Sequence, residues 1–498
     1  MSNLLFDVLI APLALNANRP FITTNTTVIT SGAFYRAVCH SAAALTKHGV
    51  QPGDRVCVQA EKSVELLSVY AAVLAVGAVF VPLNTAYTPR ELAYFLTDCD
   101  PQLFLTDPWR VAEVSDVVPP HVTVLTLGDG GSFSAGMTDP DTFVAAKANA
   151  DTPCALLYTS GTTGQAKGAV LTHGNLYSNA VALADCWQFG PGDVLLHALP
   201  IFHAHGLFVA TNVTLLAGGS LRWLDAFDVD TVLDALPTVT AMMGVPTYYA
   251  RLVVDARLNA QLAANVRVFI SGSAPLTNET FQAFETATGR RIVERYGMTE
   301  TGMNTSNLLH DVRRGTVGQA LSGVTVRVVS TDTNTVVGPH EKGMVQVHGK
   351  NVFGGYWRRE QANRAAFTAD GFFITGDLGM VDADGYLTLV GRETDLIISG
   401  GLNVYSTEVE QLIALVPGVV EVAVVGVSHP DFGEAVIAVV VANDSYDDAE
   451  LMATVRNGLA NFKRPKRVFV VDALPRNALG KVQKVLLRAT YADTFLSP

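Results

Sequence analysis

The sequence predicts an α/β protein with a large N-terminal domain of parallel or mixed sheets, a small β subdomain and a small α+β C-terminal domain. Helical and strand-like segments alternate from about 30 to 150, which predicts crossover connections and a largely parallel sheet. From about 313 to 390 the pattern changes to short strands separated by glycine turns. The rest of the chain mixes helices with strands, and 498 residues are enough for several such units.

The elements of the first region follow from their periodicity. The predicted helices are Phe34 to His48, Val64 to Val76 and Pro89 to Thr97, and Arg55 to Val58 is a predicted strand. Residues 66 to 83 are uncharged over a length that suggests a membrane span, but Gly77 and Pro82 interrupt them. A buried helix followed by a buried strand is therefore expected, and Glu61-Lys62-Ser63 is expected to be a solvated helix start.

The C-terminal region is predicted to have an α+β pattern. Its predicted helices are Ser406 to Val416 and Ala449 to Leu459, and its predicted strands are Glu421 to Val427, Ala435 to Val441 and Val468 to Val471.

Composition narrows the class of protein. Hydrophobic residues make up 49% of the chain and charged residues 16%, so a large core can form. The formal net charge of -12 argues against nucleic-acid binding, which needs a basic face. The five cysteines lack metal spacing, and the N-terminus lacks the basic region of a secretory signal. These features predict a soluble cytoplasmic protein with reduced thiols and no membrane partner.

The segment Thr159 to Lys167 is the strongest local signal. Its glycines let backbone N–H groups approach one anion, its hydroxyls add donors and Lys167 adds a charge, as a polyphosphate requires. The segment is not a Walker A sequence. The alternative, a flexible glycine-rich turn, gives no reason for four hydroxyls and a lysine.

Two further stretches contain isolated polar residues in apolar surroundings. His203 and His205 could bind a metal, but no third ligand with zinc-like spacing stands near them, and neutral core histidines are an alternative. Arg251 lies on an otherwise apolar predicted helix. Its guanidinium could bind a substrate carboxylate through two hydrogen bonds, or simply reach solvent or pair with an acid.

Four motifs together resemble the adenylate-forming superfamily of acyl-CoA synthetases, luciferases and peptide-synthetase adenylation domains. They are Tyr158 to Gly168, Arg295 to Thr301, Phe373 to Gly379 and Leu474 to Val482. The resemblance implies an acid–thiol ligase that uses ATP, Mg²⁺ and coenzyme A. The acid carboxylate would attack the α-phosphate of MgATP, and the thiol of CoA would then displace AMP.

The resemblance also implies site residues. The implied catalytic residues are Lys481, Thr299, Glu300 and His203, of which Glu300 is the Mg²⁺ ligand. The implied ATP- or AMP-binding residues are Thr159, Ser160, Gly161, Thr162, Thr163, Gly164, Lys167, Ser273, Ala274, Arg295, Tyr296, Gly297, Met298, Thr299, Asp377, Arg392 and Lys481. The implied acid-binding residues are His203, His205, Arg251, Ser273 and Met303, and the CoA segment contains Gly400 and Gly401.

The resemblance divides the chain into a large N-terminal ATP- and acid-binding domain (1–391, with the β subdomain at about 313–390), a hinge (392–395) and a mobile C-terminal domain (396–498). Closure of the C-terminal domain would carry Lys481 onto the reacting carboxylate and the α-phosphate, and its rotation would then replace Lys481 with the Gly401 segment. Relatives usually have Asp or Lys where Thr394 stands, so Thr394 or Asp395 is the pivot.

A narrower resemblance concerns the acid. Met303 to Ser306, with His205, Arg251 and Ser273, is most similar to malonyl-CoA synthetases. The expected reaction converts malonate, ATP and CoA to malonyl-CoA, AMP and diphosphate, with methylmalonate as an alternative acid. Other interpretations are a CoA ligase for an uncharged short-chain or aromatic acid, a carrier-loading adenylation module and an inactive adenylate-binding protein. No obligate protein partner is evident in the sequence.

Overall fold

The computed structural model describes residues 3–135, 143–159, 166–399, 402–429, 432–459, 461–477 and 480–495. The chain forms two compact units. The first contains Met1–Val326 and Val347–Phe373, and the second contains Arg327–Gln346 and Ile374–Pro498. The hinge at 392–395 stays a prediction.

The first unit contains a six-stranded sheet that is parallel except at one edge. Its strands, in spatial order, are Thr123–Thr126, Leu103–Thr106, Arg55–Gln59, Val79–Pro82, Pro153–Thr159 and Lys167–Thr172, and only the last pair is antiparallel. The preceding and crossover helices are Ser31–Lys47, Val64–Ala75 and Pro89–Cys99. The predicted alternation of helices and parallel strands is confirmed.

A nine-stranded mixed sheet completes the β structure of the first unit. Its strands, in spatial order, are Gln319–Ala320, Gly302–Ser306, Ile292–Met298, Val268–Ser271, Ala241–Gly244, Val194–His197, Ser220–Trp223, Pro20–Thr23 and Val28–Thr30. Its central strands are parallel, and the strands at both edges are antiparallel. The other longer helices are His173–Cys186 and Asn278–Thr288. The shorter ones are Phe6–Ile10, Pro12–Leu15, Val111–Val114, His205–Thr211, Asn212–Leu216, Val229–Ala235, Pro246–Leu252 and Glu360–Ala366.

The main core of the first unit joins both sheets. It includes Phe34 and Leu74 from the helices, Phe80 from the six-stranded sheet, and Leu195 and Trp223 from the nine-stranded sheet. Burial of this much apolar surface is the main stabilising contribution to the fold. One shared core therefore supports the strands of both sheets.

The uncharged segment at 66–83 forms a buried helix, Val64–Ala75, and a buried strand, Val79–Pro82, as expected. Among the residues that the structure describes, no helix has the length and hydrophobicity needed to cross a bilayer. All five cysteines are free thiols.

The expectation of a solvated start for this helix is wrong at Lys62. The Lys62 ammonium is buried and donates to the carbonyls of His197 (2.8 Å) and Leu224 (2.5 Å), at the ends of two strands of the nine-stranded sheet. It also lies 4.2 Å from the ring centroid of Trp223. Lys62 therefore links the six-stranded sheet to the nine-stranded one.

The second unit contains most of a four-stranded sheet, in the order Val324–Val329, Gly343–Gly349, Phe373–Val381 and Leu387–Arg392. A further sheet has the order Leu402–Tyr405, Leu396–Ser399, Gly433–Ala442 and Val419–His429, with Arg467–Val471 parallel to Gly433–Ala442. The helices are Ser406–Ile413, Asp448–Gly458 and Lys484–Thr490. The α+β pattern predicted for this region is confirmed.

Candidate active site

The glycine- and hydroxyl-rich segment connects two paired strands. Strands Pro153–Thr159 and Lys167–Thr172 are antiparallel, and Thr159 faces Lys167 in the register. The helix His173–Cys186 follows directly and begins with a capping box, in which Thr172 accepts from the Asn175 N–H at 3.2 Å. The hairpin thus holds both ends of the segment together. The predicted phosphate-binding residues between them, Ser160, Gly161, Thr162, Thr163 and Gly164, lie outside the described residues.

The carboxylate of Glu300 is buried beside this hairpin. Its Oε1 atom accepts hydrogen bonds from the Thr159 hydroxyl at 3.2 Å and from the Tyr356 hydroxyl at 3.1 Å. Burial and the negative charge of Glu300 raise the pKa of Tyr356, so Tyr356 is a neutral donor. The ammonium of Lys167 lies 5.3 Å from the centroid of the Tyr356 ring. The structure therefore brings three predicted site residues together with one that the sequence analysis missed.

This oxygen cluster suits a magnesium ion. Mg²⁺ prefers hard oxygen ligands and is usually held by one or two carboxylates together with substrate phosphates. Glu300 supplies such a carboxylate, with the Thr159 and Tyr356 hydroxyls donating to its Oε1 atom. Among the described residues, no group of three or more His, Cys, Asp or Glu side chains is arranged to hold a metal ion. The role of Glu300 as a ligand stays a prediction.

Thr299 and Glu300 lie in the turn of a second hairpin. Strand Ile292–Met298 is antiparallel to Gly302–Ser306, with Gly297 opposite Met303. A Cβ at Gly297 would lie 2.1 Å from the carbonyl oxygen of Gly302, so only glycine fits there. Asn179 binds the Met303 backbone on both sides, through bonds of 2.8 and 3.0 Å. This hairpin places Tyr296, Gly297, Met298 and Thr299 on one segment with Glu300 and Met303.

The predicted acid-binding residues Ser273 and His205 are neighbours. The Ser273 Oγ and His205 Nδ1 atoms are 3.3 Å apart, and Ser273 has a left-handed backbone with a φ of 73°. His205 opens the buried helical turn His205–Thr211, and His203 lies half-buried just before it. Ala274 follows Ser273 and is exposed. Burial, and then the charge of Arg295, lower the pKa of His205 well below its ordinary value, so His205 is a neutral imidazole.

Arg295 is a buried cation beside these residues. Its side chain belongs to a residue that is only 4% exposed, and a Cβ at Gly272 would lie 2.4 Å from its Cζ atom. In the described part of the chain, its Nε and Nη2 atoms have no hydrogen-bond partner. Burial lowers the pKa of Arg295 to about 9, so the guanidinium is still charged at neutral pH. Buried N–H groups of this kind are normally satisfied, which points to an anionic ligand.

Arg251 is placed differently. It lies near the end of helix Pro246–Leu252, whose Tyr249 and Leu252 are buried, while Arg251 is exposed. Its predicted contact with the acid stays a prediction. The assignment of Arg295 to the nucleotide, which the resemblance implies, also stays a prediction. In the structure its guanidinium lies against Gly272 and its charge acts on His205.

A cavity of about 260 Å³ adjoins this region. Its lining includes Pro200, Ile201 and Phe202, which directly precede His203, and it extends to Lys62 and Tyr248. It is large enough to admit part of a substrate.

Glu294 holds the turn from Ser271 to Leu276 through a hydrogen bond. This carboxyl group is 8% exposed and accepts from the N–H groups of Leu276 and Gly315. Burial raises the pKa of Glu294 to about 7, against an ordinary value of 4.5. Because the folded state binds this proton more tightly, the contribution of Glu294 to the free energy of unfolding is fully present below pH 4.5 and is lost as the pH rises through 7.

We therefore expect Glu294→Gln to gain stability relative to the wild type as the pH rises. The neutral amide keeps one acceptor and does not ionise. The relative gain between pH 5 and pH 8 should be about 2–3 kcal/mol, as the pKa shift implies. Urea unfolding of both proteins at the two pH values measures it. An identical difference at both pH values would contradict the prediction.

The second unit contains the remaining predicted nucleotide residues. Asp377 and Arg392 face each other on antiparallel strands, and the Arg392 Nε and Asp377 Oδ1 atoms are 3.0 Å apart. The Asp377 N–H also donates to the Thr375 hydroxyl at 3.0 Å. The pairing of these two residues matches their predicted shared place at the ribose, which itself stays a prediction.

Lys481 is exposed on a tight turn of the second unit. Its N–H donates to the Asn477 side chain and its carbonyl accepts from the Asn477 N–H, both at 2.9 Å. Gly480 has the left-handed φ of 74° that this turn needs. The backbone of Lys481 is thus held by Asn477.

The predicted hinge residues lie in the short helix Glu393–Asp395. Thr394 is exposed, and Asp395 accepts from Arg488 at 2.7 Å. The predicted CoA residues Gly400 and Gly401 lie outside the described residues.

Comparison with known proteins covers nearly the whole chain. Residues 13–357 match the family described as AMP-binding enzyme, and residues 408–481 match the AMP-binding enzyme C-terminal domain. ATP-bound MatB from Rhodopseudomonas palustris is 46% identical, with a TM-score of 0.93, over 99% of this chain and 100% of that chain. A malonate–CoA ligase of Arabidopsis thaliana is 32% identical over 88% of this chain and 78% of that protein. A feruloyl-CoA synthase of an Amycolatopsis species is 36% identical over 93% of this chain and 94% of that protein.

Proposed function

Since the chain belongs to the AMP-binding enzyme family and is an AMP-forming acyl-CoA synthetase, we propose that the acid it joins to CoA is malonate. ATP, Mg²⁺ and CoA are the other small molecules of the reaction. The family does not decide the acid, because the similar curated relatives are named for malonate and for ferulate.

The observation that carries the proposal is the buried guanidinium of Arg295. Malonate has two carboxylates: one reacts with ATP, and the other keeps its negative charge. In the described part of the chain, the Nε and Nη2 atoms of Arg295 have no hydrogen-bond partner, and its charge acts on the neutral His205, which contacts the Ser273 hydroxyl. An acid without a second charged group would leave the Arg295 guanidinium buried and unpaired. This typically costs about 2–5 kcal/mol of binding free energy.

In this proposal the residues of the first unit bind different parts of the substrates. Arg295, with Ser273 and His205, holds the distal carboxylate, and the reacting carboxylate lies towards His203. Thr159, Lys167 and the segment between them bind the phosphates of ATP. Mg²⁺, when bound at Glu300, neutralises charge that develops on the phosphate oxygens. Such preorganised charges act most strongly where water is excluded.

The residues of the second unit have separate proposed roles. Asp377 would accept hydrogen bonds from the ribose hydroxyls, because a carboxylate can take two donors at once. Lys481 would stabilise the charge of the transition state in the first step. The CoA thiol then attacks the malonyl-adenylate carbonyl carbon, and AMP leaves.

The test is an acid panel with the wild-type protein. AMP and acyl-CoA formation should be followed with MgATP, CoA and each of malonate, methylmalonate, succinate, acetate, butyrate, benzoate and ferulate. We expect the highest kcat/KM for malonate, with methylmalonate as the nearest competitor. A preference for acetate, butyrate, benzoate or ferulate would overturn the malonate proposal and favour the ligase for an uncharged acid. Adenylate formation without transfer to CoA would favour a carrier-loading module.

A further inference from the structure

Tyr356 contacts two residues of the predicted phosphate and metal site at once. Its hydroxyl donates to Glu300 Oε1 at 3.1 Å, and the face of its ring lies 5.3 Å from the Lys167 ammonium. The Thr159 hydroxyl donates to the same Glu300 oxygen at 3.2 Å. Tyr356 therefore donates to the same carboxylate oxygen as Thr159, the first residue of the predicted phosphate-binding segment.

The backbone around Tyr356 pairs as a short extra strand with the hairpin of Pro153–Thr159 and Lys167–Thr172. The Val170 N–H donates to the Gly355 carbonyl at 3.1 Å, and the Trp357 N–H donates to the Gly168 carbonyl at 2.7 Å. Tyr356 itself forms an antiparallel bridge with Ala169. The tyrosine is thus registered against the strand that begins at Lys167.

Asn363 fixes this segment from the other side. Its Oδ1 atom accepts from the Tyr356 N–H at 2.6 Å, and its amide donates to the Tyr356 carbonyl at 3.0 Å. Gly355 has a φ of 135°, and a Cβ there would lie 2.9 Å from the Asn363 side chain, so glycine is needed for this approach. A ring held by its own backbone in this way can place its hydroxyl with little freedom.

We propose that Tyr356 is a positioning residue that orients the Glu300 carboxylate for Mg²⁺. A hydrogen bond to one oxygen of a carboxylate fixes its rotation and directs the other towards a ligand. Residues that orient a metal ligand in this way typically contribute 10–100-fold to metal affinity or activity. The proposal rests on the proposed reaction and on Glu300 as the metal ligand, but it does not depend on which acid is used.

The principal test is Tyr356→Phe. This variant keeps the ring beside Lys167 and its edge-to-face contact with Phe353, at 4.9 Å between centroids, and removes only the hydroxyl. We expect the Mg²⁺ concentration for half-maximal adenylation to rise about 10-fold, with the KM for the acid unchanged. Calorimetric titration of ATP at several Mg²⁺ concentrations, without acid or CoA, should show the same weakened dependence on Mg²⁺.

Two comparisons make the result specific. Tyr446→Phe removes a hydroxyl that donates to Asp448 at 2.9 Å in the second unit, and it should leave the Mg²⁺ dependence unchanged. In a Glu300→Gln background, Tyr356→Phe should add almost nothing, because a residue that acts through Glu300 is not additive with its loss.

Wild-type Mg²⁺ dependence in Tyr356→Phe would overturn the proposal. A uniform loss at every Mg²⁺ concentration, together with a lower melting temperature, would also overturn it, since that is the result of a purely structural role. The assay uses the acid that the wild type prefers. Failure of the malonate proposal would therefore appear in the acid panel and leave this comparison intact.

Discussion

Arg295→Met should reduce kcat/KM for malonate by roughly 10²-fold, which corresponds to about 3 kcal/mol. The substitution replaces a buried guanidinium by an apolar side chain, so the distal carboxylate of malonate would lose its cation. The same change should leave acetate or butyrate turnover unchanged or higher, because no unpaired charge would remain in the pocket. The selectivity between malonate and an uncharged acid is the quantity to measure.

Arg251→Met is the matched control for this experiment. It removes the same kind of side chain from an exposed position on helix Pro246–Leu252, and it should change malonate selectivity much less. Loss of malonate selectivity in Arg251→Met, with selectivity kept in Arg295→Met, would show that the resemblance identified the right arginine and that our assignment is wrong. The KM for ATP should also be measured. A rise confined to that KM in Arg295→Met would return Arg295 to nucleotide binding.

Lys481→Ala should lower the rate of adenylate formation by about 10²–10³-fold, the usual result of losing one preorganised charge. Transfer from synthetic malonyl-adenylate to CoA should continue, because the resemblance assigns Lys481 to the first step alone. Single-turnover measurements of malonyl-adenylate formation and of malonyl-CoA formation separate the two steps. Equal loss in both steps would contradict the assignment.

Stability is the control for Lys481→Ala. The side chain is exposed, so its removal should change the free energy of unfolding by less than about 0.5 kcal/mol. Lys47→Ala, at the exposed end of helix Ser31–Lys47, provides a lysine substitution that should affect neither step.

The fold class could be predicted from the sequence because helix and strand periodicity are local signals. Alternation of helix and strand periods predicted the parallel sheet, and in the uncharged segment at 66–83 Gly77 separates the helix from the strand, which ends at Pro82. The Ser273–His205 contact was also consistent with the resemblance, which had placed both residues near the acid. These inferences need only neighbouring residues or a long motif.

The misses depend on contacts between distant segments. Lys62 was expected in solvent because its acceptors, the carbonyls of His197 and Leu224, come from strands far along the chain. Tyr356 was overlooked because its contact with Glu300 requires the segment at 355–357 to pair with the strand after the phosphate loop. Hydrophobic periodicity contains no information on either pairing.

The closeness of Gly272 to Arg295 has a consequence for how such a pocket can change during evolution or redesign. A Cβ at position 272 would lie 2.4 Å from the guanidinium carbon, so the end of the Arg295 side chain would have to move to accommodate it. The two positions are therefore interdependent, because a substitution at 272 displaces the charge of Arg295 without changing residue 295 itself. The charge in such a pocket can thus be altered through position 272, and a variant at either position has to be interpreted together with the other.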